Sequence, residues 1–370
     1  PMRTLYRARL LVLVVAAVVL RLTVFAHAGA ADSEVSYGLT LATGALTLAD
    51  IAKGLDPDGK VARVINLLTQ RNEILVDMLW VEGNLTTGNR TTVQTSIPAV
   101  YWRLANQGVP ISKGSTAQID EQCGWLEAWS EVDQRVAELG GKAKVNQVRL
   151  SRSKGYIEGM NQELASTLFY GSAASPEEFI GLTPRYNQKS GATNGDNVLL
   201  AGGTGVDNAS IWLIEWGEEQ VCGIYPLGST AGLVHEDHGL QTVETVAGVA
   251  GSRMRAYQEH YQWDAGLKVA DYRYAVRIAN IDISDLAGTT PPDLIALMGD
   301  AEEIIPDHPG NRCFYMNRTL KRYLKRQMRN TVGSGGGLTY ENVAGRRVMV
   351  FGETPVRTVD ALLNSEQLVA

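Results

Sequence analysis

Residues 81–120, VEGNLTTGNRTTVQTSIPAVYWRLANQGVPISKGSTAQID, place the tightest limit on what this chain can fold into. The stretch is rich in Thr, Gly, Asn and Pro and poor in aliphatic residues. Thr91, Thr92, Val93, Thr95 and Ile97 favour extended backbone, because β-branched side chains fit a pleated surface. The residues around Thr87-Gly88-Asn89 and Asn106-Gln107-Gly108 favour chain reversals. The expectation is a long two-stranded excursion. Two strands alone are marginal in water, and this pair has little apolar surface to bury. It must lie on something else.

The flanking sequence supplies cores. Residues 36–58 carry Gly and Pro breaks and read as an extended arm. From Lys60, Val61, Val64, Ile65 and Leu68 fall on one helical face. Ile74, Leu75, Met78 and Leu79 form a second apolar group that ends in Trp80. GWLEAWSEV leads toward a long helix at about 144–170, where Val145, Val148, Ile157, Met160, Leu164, Ala165 and Leu168 lie mainly on one face. Gly155 and Gly159 weaken it by about 1 kcal/mol each relative to Ala, and Gly171 stops it. Residues 172–260 read as loops with short strands at NVLLAGG, SIWLIEWG and QVCGIYPLG. Gly266–Ser284 reads as one long strand. PPDLIALMGDAEEII is a helix with Pro in its first turn. FYMNRTLKRYLKRQM is a strand end, an Asn317 cap and a helix. VGSGGG is a flexible link, and RRVMVFGETPVRTVDALL is strand, turn, strand. Helices mixed with mostly antiparallel strands make the fold class α+β.

The first residues resemble an export signal. Arg3, Arg7 and Arg9 precede an apolar run from Leu10 to Leu20, and Ala26-His27-Ala28 offers a small-x-small cleavage pattern. Arg21 ends the run well short of the roughly 20 residues a membrane span needs. Cys123, Cys222 and Cys313 are odd in number and far apart, so they make no disulfide framework and read as buried thiols. The net charge of −6 argues against a protein that coats itself in nucleic acid.

Few residues look chemical. His235-Glu236-Asp237-His238 is the most site-like cluster, with His260 as a further ligand for a metal. Its i, i+3 histidine spacing and following Gly fit a charged loop better than a helical zinc site. The runs AGGTG and GSGGG lack the Lys-Ser/Thr of a phosphate loop. Arg318, Lys321, Arg322, Lys325, Arg326 and Arg329 put a basic stripe on one helix, able to meet acidic groups or a polyanion. No catalytic or metal constellation stands out, and no cofactor is expected. A chain of this size with an arm, a long hairpin and a long helix but no site reads as a structural protein. Its exposed pieces are then covered by other copies.

The stretches LDPDGKVARVINLLTQRNEILVDMLWVEGNL, GMNQELASTLFYG, EEFIGLTPRYN, FYMNRT and GETPVRTVDALLNSE, in that order, resemble the major capsid proteins of tailed phages, in particular short-tailed ones. The likeness runs from about Leu39 to Asn364. It implies an N-terminal arm at 36–58 and an extended loop at 81–118. It implies a peripheral domain at 59–80 and 119–189 with its spine helix near 144–170. An axial domain then takes most of 190–350, and 351–370 returns to the peripheral domain. Residues 1–35 have no counterpart, and the expectation is that translation begins at Val35.

The implied function is a subunit that self-assembles, in the bacterial cytoplasm, into the icosahedral shell of a virion around double-stranded DNA. Implied partners are other copies in hexamers and pentamers, a scaffolding protein, a portal protein, a cement protein and the DNA, held non-specifically; no membrane is involved. An acidic subunit lets packaged DNA slide rather than stick. Tyr101 and Trp102 are the expected apolar anchors of the loop. Arg318, Arg322, Lys325 and Arg329 are expected to meet Asp300, Glu302 and Glu303 of a neighbour. Lys113 lies in the loop, but no cross-linking motif accompanies it. The competing readings are an exported metal-dependent hydrolase built on His235–His238 and His260, and an exported carbohydrate-binding β protein.

Overall fold

Every residue of the run Asn208–Trp216 is buried. Successive side chains of a strand point to opposite faces, so this run serves two cores. Trp212, Ile214 and Trp216 join one apolar cluster, while Ala209, Ile211 and Leu213 join another. The rest of the molecule is arranged around this strand.

The computed structural model describes residues 70–139, 141–244, 253–288, 291–306, 310–330, 338–343 and 346–370, with backbone only for 329–330, 338–343 and 346–347. The signal-like segment 1–35, the arm at 36–58, the helix expected from Lys60 and the link at 332–337 lie outside the described residues.

Strands β1 (Trp80–Glu82), β2 (Gly88–Ser96) and β3 (Ser115–Asp133) precede the long helix α1 (Val145–Tyr170). Strands β4 (Val198–Leu200), β5 (Asn208–Trp216), β6 (Val221–Tyr225), β7 (Val234–Glu244), β8 (Arg253–Val269) and β9 (Ala275–Asp282) follow. Then come helix α2 (Leu294–Ile304), β10 (Asn311–Met316), helix α3 (Arg318–Asn330), β11 (Leu338–Val343), β12 (Arg346–Phe351) and β13 (Thr354–Thr358). Hydrogen bonds connect the strands in the order β11-β12-β13-β10-β5-β6-β8-β3-β2, with β9 on β5, β4 on β9, β1 on β6 and β7 on β8. Most pairs are antiparallel; β1 with β6, β4 with β9, β5 with β6 and β10 with β13 are parallel.

One core lies beneath α1, whose Leu164, Leu168 and Phe169 pack with Trp212 of β5 and Leu267 of β8. The other lies beneath α2 and α3, whose Leu294, Met298, Leu320 and Leu324 cover Ile211, Leu213 and Ile278. Helix α1 matches its expected span, and Gly171 caps it through a bond from its N–H to Thr167 O. Near its middle a Cβ at Gly155 or Gly159 would meet nothing within 4 Å among the described residues, so no packing among them explains these glycines.

Beside the first core, the guanidinium of Arg277 donates to Glu366 Oε2 at 2.8 Å, to Tyr186 O at 2.9 Å and to Ser210 Oγ at 3.1 Å. Tyr170 OH donates to Glu366 Oε1 at 2.6 Å. Both members of the Arg277–Glu366 pair are buried, so the pair and its hydrogen bonds lock the C-terminal segment under the sheet.

Three expectations need correction. GWLEAWSEV is not an approach to the helix but the second half of β3, with Trp125 and Trp129 exposed while Ser130 and Val132 turn inward. Gly266–Ser284 is not one strand. Asp271 accepts from Arg273 N–H at 3.0 Å, and the resulting turn at Tyr272–Tyr274 separates β8 from β9. His235–His238 is not a loop: it lies within β7, where a bulge at Asp237/Gly239 interrupts the pairing with β8. Gly239 takes φ +67°, a left-handed conformation open to glycine.

Candidate inter-subunit surfaces

The polar excursion forms a hairpin. β2 and β3 pair from Gly88 opposite Gln122 to Ser96 opposite Ser115. At its base a Cβ on Gly88 would sit 2.0 Å from Glu121 O, so only glycine lets the strands close there. Arg90 grips Asp120 with two bonds, Nε to Oδ1 at 2.6 Å and Nη2 to Oδ2 at 2.7 Å. That pairing holds the Asp120 carboxyl below the usual carboxylate range. Arg185 reaches from the body and grips the carboxylate of buried Glu121 at 2.6 and 2.7 Å.

Beyond Ser96 the strands open into a tip. Asn106 turns it in the left-handed region at φ 65°, and Ser112 Oγ donates to Ala99 O at 2.6 Å. Tyr101 is exposed, Trp102 and Ile111 are as open as in an extended peptide, and Ile97, Val100, Leu104 and Val109 are also exposed. Among the described residues nothing covers these apolar side chains. The sequence singled out Tyr101 and Trp102 as anchors; the other five were missed in that role because Pro, Gly and Asn dilute them along the chain.

Helix α3 carries the basic stripe. Asn317 caps it by accepting from Leu320 N–H at 2.9 Å. Leu320 and Leu324 face the core, and this periodicity turns Arg318, Arg322, Lys325 and Arg326 outward. They line a groove of about 860 Å³ together with Arg71, Lys321 and Arg357, against the single carboxylate of Glu73. Lys321 does not belong to the exposed stripe. Its Nζ donates to Val356 O at 2.9 Å and Thr358 Oγ1 at 3.0 Å, and burial pushes its pKa down to about 8. Arg318 pairs with Asp360 of its own subunit. Among the described residues no carboxylate pairs with Arg322, Lys325 or Arg326. The side chain of Arg329 lies outside the described residues.

Helix α2 carries the acidic residues that the sequence singled out. Asp300 and Glu303 are exposed, and Glu302 is half-buried, its carboxyl pushed up by that burial. Glu302 and Glu303 border a second groove of about 880 Å³ with Glu353 and Arg312. Among the described residues no ion pair joins these carboxylates to the cations of α3.

The histidine cluster divides in two. Asp237 pairs with Arg149 of α1, which lowers its pKa, and Arg149 also holds buried Glu259 of β8 at 2.7 Å. Glu259 Oε2 accepts from Ser153 Oγ at 3.0 Å and from Tyr261 OH at 2.6 Å, and the His235 ring stacks on Tyr261 at 4.8 Å. Asp237 and His235 are therefore spent fastening the N-terminal half of α1 to the β7–β8 hairpin. The five-residue centre expected of a hydrolase does not form. Arg149 and Glu259 were missed in the sequence, where neither stands near a partner.

These surfaces belong to a chain with relatives. The family described as major capsid protein GP7 matches residues 56–370. The chain belongs to this family of major capsid proteins. A chain from the cryo-electron-microscopy structure of bacteriophage Epsilon15 is 30% identical with a TM-score of 0.73, covering 90% of this chain and 99% of that one. A chain of the bacteriophage JBD30 capsid is 9% identical with a TM-score of 0.43, covering 86% of this chain and 99% of that one. A chain of Microbacterium phage Oxtober96 is 13% identical with a TM-score of 0.39, covering 64% and 99%. No curated protein matches the chain. As a major capsid protein it has a structural role rather than an enzymatic one, and copies of it self-assemble into the icosahedral shell of a tailed-phage virion. The α+β fold, with its long spine helix α1 and extended sheet, is the fold of that family.

Proposed function

We propose that two unlike contacts hold neighbouring subunits together in the shell. The β2–β3 hairpin lies across an adjacent subunit and buries its apolar tip there. The basic groove of α3 receives the acidic edge of α2 from another copy, with Asp300, Glu302 and Glu303 facing Arg322, Lys325 and Arg329. The observation that carries the reading is the tip itself: seven exposed apolar side chains, Trp102 among them, stand on a hairpin whose own hydrogen bonds are already made. Aromatic anchors of this kind dominate interfaces, and many weak linked contacts make a stable shell.

The finer organisation follows the same reading. Residues 59–80 and 119–189 form the peripheral domain, 81–118 the extended loop, most of 190–350 the axial domain and 351–370 the return. Hexamers and pentamers, a scaffolding protein, a portal and a cement protein are the partners, assembly takes place in the bacterial cytoplasm, and the DNA inside is touched without sequence preference. Replacing residues 97–113 with a short Gly-Ser turn tests the central claim. The subunit is expected to stay soluble and folded while shells disappear. Hydrogen exchange at 97–113 should be fast in free subunit and slow in particles; equal protection in both states would show that the hairpin packs on its own subunit.

A further inference from the structure

The part of the histidine cluster that α1 does not use remains in the open. The bulge in β7 and the register with β8 bring Glu236, His238 and His260 together, one ligand atom of each lying within 4.8 Å of the others. We infer that these three side chains form a binding site for a divalent metal of the zinc class. Two imidazoles and one carboxylate are a donor set that Zn²⁺ takes in a tetrahedral site with a position left for water, and imidazole selects for zinc, copper and nickel over magnesium and calcium.

Two features hold the ligands in place without closing the site. Trp129 of β3 stacks on the His260 ring at 4.2 Å and on the His238 ring at 5.5 Å, which limits rotation of both. Glu127 of β3 sits 3.3 Å from His260 Nε2. A carboxylate on one imidazole nitrogen fixes the tautomer and leaves the other nitrogen, Nδ1, for the metal. The neighbouring groups that would compete, Asp237 and His235, are engaged by Arg149, Glu259 and Tyr261. A bound ion would join the β7 bulge to β8 directly, and through Glu127 and Trp129 to the strand that continues into the hairpin.

The test uses the purified full-length subunit, stripped with a chelator and titrated with Zn²⁺ alone by calorimetry, with metal analysis after gel filtration. The expected result is one zinc per subunit and a rise in thermal midpoint that a chelator reverses. His238→Gln and His260→Gln should abolish binding, and Glu127→Gln should weaken it by roughly 10–100-fold. His235→Gln should leave it unchanged. Circular dichroism checks folding, and because His238 is an exposed residue at the bulge, its variant stands as the decisive one should His260→Gln unfold. No stoichiometric zinc on the wild-type subunit, or zinc retained by folded His238→Gln, would overturn the assignment.

Discussion

Strand β5 and the β2–β3 hairpin have the same backbone and opposite surroundings. All of β5 is buried between two cores, and its residues alternate between them. The outer part of the hairpin is exposed on both faces from Thr95 to Ile111. In β5 burial of the side chains holds the strand, and its hydrogen bonds follow. In the hairpin the bonds and the Arg90–Asp120 clamp hold the strands, and the apolar residues are left over. If the hairpin makes the proposed contact, a single subunit has its stability in one region and its capacity for association in another.

Truncating the two tryptophans tests that division most severely. Trp212→Ala should cost about 3–5 kcal/mol, as large aromatic deletions in cores do, and denaturant unfolding should show most of the subunit's stability gone. Trp102→Ala should leave the unfolding midpoint of the subunit within about 0.5 kcal/mol of wild type while sharply lowering shell yield. If Trp102→Ala destabilised the free subunit as much, the division would be wrong. Arg277→Met belongs with the core: leaving buried Glu366 without its cation should cost about 3–5 kcal/mol, read from the same unfolding curve. The triple change Arg322→Glu, Lys325→Glu, Arg329→Glu should impair assembly, seen by electron microscopy, with the subunit still folded; normal shells would remove the basic groove from the contact.

Smaller effects sharpen the comparison. Gly155→Ala and Gly159→Ala should each stabilise the free subunit by up to about 1 kcal/mol, because the added methyl meets none of the described residues. A loss of shell yield in these variants would mean that a neighbour approaches α1 at this face. Lys321 should give a pH signature. Its folded pKa lies near 8, below the ordinary 10.5, so between those values the unfolded chain holds a proton that the native subunit has released. Stability from this group therefore rises with pH across that window, and Lys321→Met should remove the rise in thermal midpoints measured from pH 8 to 10.

Much of this fold can be read from the chain, for identifiable reasons. The limits of α1 follow from its apolar face and from Gly171, and β5 follows from an unbroken apolar run. The hairpin follows from Thr-rich strands too polar for a core. The β7–β8 pair does not follow. RMRAYQEHYQWD is polar through much of its length, because β8 is covered on both edges and its buried Glu259 is neutralised by Arg149, far away along the sequence. For the same reason the meeting of His260 with Glu236 and His238 depends on a strand register set by pairing and a bulge.

The buried Arg277–Glu366 pair has a consequence for timing. Its two members are separated by 89 positions, so a growing chain carries the guanidinium for about 4–18 s at the usual synthesis rates of about 5–20 residues per second before its carboxylate exists. During that interval the guanidinium has no counterion, which opposes closing the first core around it. We expect nascent chains to remain open to protease until the C-terminal segment emerges from the ribosome, which pulse-labelled proteolysis would detect. Synthesis would thus act as a clock: a partly made subunit is withheld from a growing shell.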